Sequence, residues 1–183
     1  MIGYQPSNFS RSQCGGNVPG RQEPAARQIA ASRAGTADGI LGGLYPNRRS
    51  GTVNGFRCGR FNDAADSWWL CTTHLESMDA AINIDQGNYL LNYTRYWLGD
   101  RPVVVGGDFN RTPMQAPMVD WSTYYAEVDE AHNTNTWPTD GPYKKVDYTF
   151  TLRGRGDVGG AVGSVGCATD SDHCYLQGTV RFL

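Results

Sequence analysis

The sequence predicts a mixed α/β domain of the α+β kind, with more strands than helices. Three observations lead there. Glycine supplies 23 of the 183 residues, which suits a fold with many turns and close backbone approaches. Six short stretches read as strands, at 39–44, 52–61, 67–74, 102–107, 146–152 and 175–183. One long stretch between them, 80–98, reads as an amphipathic helix. The chain is 39% hydrophobic and 19% charged, the balance of a globular domain with a real core. No repeat or second domain is visible, so residues 1–183 are read as one domain, with 1–36 carrying little periodicity.

The elements follow in order. PAARQIAASRAG, at 24–35, reads as a short helix, with Pro24 first and Gly35 past its end. The apolar run 39–44 reads as a strand. Next comes FRCGRFNDAADSWWLC, a hairpin with a polar turn. Centred between Ala64 and Ala65, it places Phe61 opposite Trp68 and Cys58 opposite Cys71, within reach of a disulfide. Cys167 and Cys174 flank DSDH and form a second candidate pair. The other reading of these four is buried free thiols. The five cysteines, with Cys14, include no C-x-x-C pair, which argues against a zinc ribbon. If the bridges form, the compartment is oxidising and the protein is expected to be secreted.

In 80–98, Ile82, Tyr89, Tyr93 and Tyr96 recur near helical spacing, as do Leu90, Trp97 and Leu98, so these aromatics are expected to pack into the core. Gly99 and Pro102 mark the stop. The unbroken valines of 102–107 read as a strand buried on both faces. A short helix is expected over 119–127, then the strands at 146–152 and 175–183.

Charge and hydropathy narrow the partners. The net charge of −2 argues against a strongly basic nucleic-acid coat. No apolar run approaches the length of a membrane span. The opening MIGYQPSNFS shows no charged-then-apolar signal pattern.

The chemistry concentrates at strand ends. VVVGGDFN ends a buried strand on two glycines, Asp108 and Asn110. Two residues apart in extended chain, these two side chains point to one side. They offer an anionic ligand beside a group that both donates and accepts, which suits a cation or activated water next to a phosphate. An Asx turn is the structural alternative. His74 closes the apolar strand of WWLCTTHLES. Asp172 and His173 stand before the last strand in DSDHCYL, so one could bind metal while the other moves protons. Asp147, inside KKVDYTF, needs a partner if it is buried, and a histidine is the natural one.

THL, GGDFN, VDYTF and SDH, in this order, resemble the endonuclease/exonuclease/phosphatase superfamily, which includes deoxyribonucleases, abasic-site endonucleases, neutral sphingomyelinases and inositol-phosphate phosphatases. The resemblance covers about residues 37–183. It implies a four-layer sandwich of two mixed, mainly antiparallel sheets flanked by helices, with the site where strand ends converge. It implies that His74 and Asn110 contact the phosphate, Asp108 positions the attacking water, Asp147 orients His173, and His173 is general base. It further implies that Asp172 and Asp108 bind Mg²⁺, with Mn²⁺ or Ca²⁺ as substitutes, and Arg111 is expected to add a phosphate contact. The expected activity is hydrolysis of a phosphodiester by a monomer, with DNA or another nucleic acid as substrate. A lipid headgroup is the alternative, as in a sphingomyelinase, with Trp68 or Trp69 touching the membrane.

One departure from the family pattern bears on this. The family carries a metal-binding Glu, usually as Gln-Glu on an early strand. Here Gln-Glu occurs at Gln22-Glu23, between prolines and with no apolar run before it. Either Glu23 is that ligand, or Gly3-Tyr4 aligns downstream of it. In the second case the chain lacks the first two strands, the first helix and the Glu, and a non-catalytic phosphate- or partner-binding remnant becomes the competing function.

Overall fold

The computed structural model describes residues 37–62, 67–98, 101–137, 144–162 and 171–182. Its elements are β1 (Ala37–Leu44), β2 (Gly55–Asn62), β3 (Ser67–His74), α1 (Ala80–Tyr96), β4 (Val103–Asp108), α2 (Met118–Tyr124), β5 (Tyr125–Glu127), β6 (Asp147–Leu152), β7 (Gly156–Val162) and β8 (Gln177–Phe182). The expected helix at 24–35 lies outside the described residues. Six strands form one sheet in the order β1-β2-β3-β4-β6-β5, and β7 pairs β8 in a second. Only β3 and β4 are parallel, joined through α1; the other pairs are antiparallel. This is the mixed, mainly antiparallel architecture expected.

The hairpin register is as predicted, with Phe61 opposite Trp68 and Cys58 opposite Cys71. The two sulfurs are bonded. Cys174 is also disulfide-bonded; Cys167, its expected partner, lies outside the described residues. Trp68 is buried between Phe61, with ring centroids 4.8 Å apart, and Phe182 at 5.3 Å. Trp69 is buried on the opposite face, so neither tryptophan is free to meet a membrane.

The valines of β4 serve two cores. Val103 and Val105 join the cluster under the helices, with Leu90, Leu91, Phe109, Trp121 and Phe150. Val104 points the other way, to Val128 and Val180, with Leu70, Leu176 and Phe182 against them. Successive strand residues alternate faces, so an unbroken apolar run means both faces are covered.

Three elements differ from expectation. The aromatics of α1 divide: Tyr93 packs against the core with its ring 4.8 Å from Phe56 and the partly exposed Tyr89 meets Tyr45 at its edge, whereas Tyr96 is 73% and Trp97 78% exposed. The buried face carries Asn83, Gln86, Gly87, Leu90, Leu91 and Thr94. Its amides are ties: Asn83 Nδ2 donates to the carbonyls of Glu76 and Phe109, and Gln86 accepts from Glu76 N while donating to Asn47 O. The bonds made by Asn83 Nδ2 and by both ends of the Gln86 amide offset much of the cost of burying these groups, and hydrophobic periodicity does not register them. Gly87 is needed where α2 crosses, because a Cβ there would lie 2.2 Å from Pro117 Cγ. The expected helix at 119–127 ends at Tyr124. From Tyr125 the chain pairs with β6 as β5, Tyr125 opposite Leu152, and bulky Tyr125 is fully buried there. Strand β7 was not foreseen, since GDVGGAV lacks the apolar run that marks a strand.

Candidate functional site

The sheet register builds the site. Across three neighbouring strands, His74 is paired with Asp108, and Asp108 with Asp147. The three occupy one row at the edge where β3 and β4 end and β6 begins. Gly107 lets these backbones close up. It sits at φ +146°, and a Cβ there would lie 2.0 Å from Thr73 O, so a side chain is excluded.

The remaining groups arrive from the loops. Asp108 Oδ1 accepts from Asn110 N at 2.8 Å, which is the Asx turn considered from sequence. It holds Asn110 at φ 52° and lets the Asn110 amide donate to Leu75 O at 2.9 Å. The loop before β8 brings His173 over the row. Its Nδ1 lies 2.8 Å from Asp147 Oδ2, and its Nε2 3.8 Å from Asp108 Oδ2. His74 Nε2 approaches the same Asp108 oxygen from the other side, at 3.5 Å.

The electrostatics follow from burial and proximity. Asp108 is 17% exposed at its side chain. Burial, and then the charge of Asp147, raise its pKa to about 6; His74, the Asn110 N–H and His173 pull the other way. For His173, burial opposes the charged ring. The hydrogen bond and charge of Asp147, with Asp108 and Asp172 behind it, outweigh that and raise its pKa. Asp108, Asp147 and His173 each offer a ligand atom, all within 4.8 Å of one another. Of the two carboxylates, Asp147 is paired with His173, while Asp108 has a histidine on either hand.

His74, Asp108, Asn110, Asp147 and His173 are therefore brought together. Arg111 stands beside them, with Nη1 3.3 Å from Asn110 O; its Nη2 is buried and has no hydrogen-bond partner among the described residues. Asp172 points elsewhere: it is exposed, and its Oδ2 accepts from Trp137 Nε1 at 3.0 Å. It is not among the three clustered ligand atoms. Glu23 lies outside the described residues. Next to His74 a cavity of about 480 Å³ is lined by Arg49, Thr52, Asn54, Glu76 and Ser77. The buried Glu76 carboxylate lies 3.6 Å from Arg49 Nε. Sequence reasoning missed this cavity, and also Thr136, whose hydroxyl accepts from the amides of Val146 and Asp147. No periodicity or charge signal marks such residues, and their partners are distant in the chain.

No family model and no curated protein matches the sequence. Solved structures do. One is an endonuclease/exonuclease/phosphatase from Bacteroides vulgatus, with a TM-score of 0.68 and 17% identity over 81% of this chain and 67% of that one. The human Nocturnin catalytic domain with bound sulfate anion gives 0.59 and 16%, over 79% and 60%. The D. rerio TDP2 complexed with single strand DNA product gives 0.57 and 16%, over 74% and 66%. The chain has the endonuclease/exonuclease/phosphatase fold. At these identities the likeness is one of fold, and the chain spans between 60% and 67% of the length of these three structures.

Proposed function

We propose that the protein is a divalent-metal-dependent phosphodiesterase acting on nucleic acid. The observation that carries this reading is the linked row His74, Asp108 and Asp147 with His173 bound over it. It is supported by a fold shared with proteins named as nuclease- and phosphatase-type enzymes, one of them complexed with single strand DNA product.

The donor set fits a hard cation. Asp108 is a desolvated carboxylate facing a second one, and oxygen donors of this kind suit Mg²⁺, with Mn²⁺ or Ca²⁺ also accommodated. Asp108 and Asp147 would hold it, with Glu23 as a further candidate ligand. The cation supplies charge neutralisation at the phosphoryl oxygens.

The side chains then divide the work. Asp147 fixes the His173 ring by holding Nδ1, which presents Nε2 toward Asp108 and keeps one tautomer in place. His173 exchanges protons through Nε2, while Asp108 orients the attacking water between the two histidines. His74 and Asn110 contact the phosphate, and Arg111 offers it the unpaired Nη2. In-line attack on a phosphodiester needs this combination of a positioned water and stabilised charge.

The test is hydrolysis of bis(p-nitrophenyl) phosphate with Mg²⁺ and with EDTA, beside His173→Ala. Loss of activity in EDTA and in the variant is expected; activity that survives both removes the reading. Plasmid nicking measured beside sphingomyelin release separates nucleic acid from lipid. The buried state of Trp68 and Trp69 takes away the feature that favoured lipid. The second reading, phosphate or partner binding without turnover, has one observation in its favour: among the described residues the clustered ligands include no glutamate.

A further inference from the structure

We propose that Thr136 is a positioning residue, a single side chain and peptide group that set the geometry of the Asp147–His173 pair. The proposal rests on the phosphodiesterase reading. Strand β5 pairs with β6 only at positions 150–152, and Val128 N extends the ladder by one bond to Thr149 O. Beyond that point no strand among the described residues pairs with this edge of β6, where the amides of Val146 and Asp147 lead into the strand. Thr136 satisfies those amides instead. Its Oγ1 accepts from Val146 N at 3.1 Å and from Asp147 N at 3.0 Å, and a hydroxyl oxygen has the two lone pairs this requires.

The same residue reaches the other half of the pair. Thr136 O accepts from Cys174 N at 2.8 Å, one residue past His173. Its own N–H donates to Lys144 O at 2.8 Å. Thr136 is thus bonded on one side to the residue that carries the Asp147 carboxylate, and on the other to the neighbour of His173. It is fully buried, so water does not substitute for its oxygen.

Thr136 is itself clamped. Asp129 Oδ2 accepts from Thr134 N, two residues before it, and from Lys145 Nζ at 2.9 Å, one residue before Val146. Lys145 also meets Glu127 at 3.2 Å, and all three side chains are buried. The ionic cluster therefore pins the 134–136 segment and the start of β6 to one point, leaving Thr136 to fix direction. The 2.8 Å contact between His173 Nδ1 and Asp147 Oδ2 depends on both anchors.

Thr136→Val keeps the shape and removes the oxygen, whereas Thr136→Ser keeps the oxygen and removes the methyl. Both variants are compared with the full wild-type chain by kcat and KM on bis(p-nitrophenyl) phosphate with Mg²⁺, and by amide exchange at Val146 and Asp147. In Thr136→Val, kcat falls by about 10–100-fold, the usual effect of losing a group that orients a ligand. KM changes little, and both amides exchange faster. Thr136→Ser keeps wild-type kcat and slow exchange. Wild-type kcat and protection in Thr136→Val overturn the proposal, and so does a loss in Thr136→Ser as large as in Thr136→Val. If Thr136→Val does not fold, Thr136→Ser decides alone: wild-type kcat with slow exchange at both amides is expected, and a fall in kcat of about 10-fold or more overturns the proposal. A wild type that hydrolyses nothing refutes the phosphodiesterase reading instead, and the exchange measurements still judge the tether.

Discussion

Replacing Asp108 with Asn is expected to make the metal-free protein more stable while abolishing hydrolysis. Burial, and then the charge of Asp147, push the Asp108 carboxyl up to about 6 in the folded chain, against an ordinary 3.8. The folded state therefore binds this proton more tightly than the unfolded state does. The resulting stabilisation is fully present below about pH 3.8 and is lost as the pH rises through about 6. The loss amounts to about 3 kcal/mol, at 1.36 kcal/mol for each tenfold change in proton affinity. The substituted amide does not ionise, and its oxygen still accepts from the Asn110 N–H that closes the turn. In EDTA, urea unfolding of wild type and Asp108→Asn should give similar stabilities near pH 4. The curves should then part, with the variant gaining up to about 3 kcal/mol by pH 7, a midpoint rise on the order of 1 M urea. Mg²⁺ should close the gap by stabilising the wild type alone. A variant less stable than wild type at pH 7 in EDTA, or a difference that does not change with pH, refutes the argument that burial and Asp147 strain this carboxylate.

Three further outcomes are expected. Asp147→Asn removes the main groups that raise the His173 pKa, so the imidazole ¹H shift in the metal-free protein should titrate at lower pH than in wild type. Because a raised histidine pKa stabilises the fold at acid pH and loses that contribution as pH climbs through the folded value, the variant should lose stability mainly below neutrality. Replacing both Cys58 and Cys71 by Ser opens a crosslink with a sequence separation of 13. By chain entropy this costs about 3 kcal/mol, read as a lower urea midpoint that reductant does not lower further at this site. Lys145→Met leaves the buried Asp129 without its lysine, while Glu127, already raised to about 7 by burial, takes up a proton; a loss of about 3 kcal/mol at pH 7 is expected, measured by thermal or urea unfolding.

The parts of this molecule that announce themselves in the sequence are those governed by short-range rules. The hairpin register follows from a turn and two opposed cysteines. The two-sided burial of β4 follows from an unbroken valine run, and the clustering of His74, Asp108 and Asp147 follows from motifs placed at strand ends. What stayed hidden depends on distant partners. The inward face of α1 is partly polar because Asn83 and Gln86 bind loop carbonyls and an amide, so Tyr96 and Trp97 are left facing solvent. Tyr125 leaves a helical pattern because β6 offers it an edge. Asp172 reads as a natural neighbour of the site, yet it faces Trp137, since adjacent residues in a loop need not share a direction. Thr136 has no signature of its own; only the folded chain shows which amides lack an acceptor.

The row formed by His74, Asp108 and Asp147 ties chemistry to assembly. These side chains are aligned by the hydrogen-bond ladders of three strands, one of them reached only after α1 has crossed over. A slip of β4 by a single position would send the Asp108 carboxylate to the opposite face. On the proposed phosphodiesterase reading, an intermediate in which β4 or β6 is undocked is therefore expected to be inactive. During refolding, catalytic competence should return with the slowest step that docks these strands, well after the Cys58–Cys71 hairpin has closed.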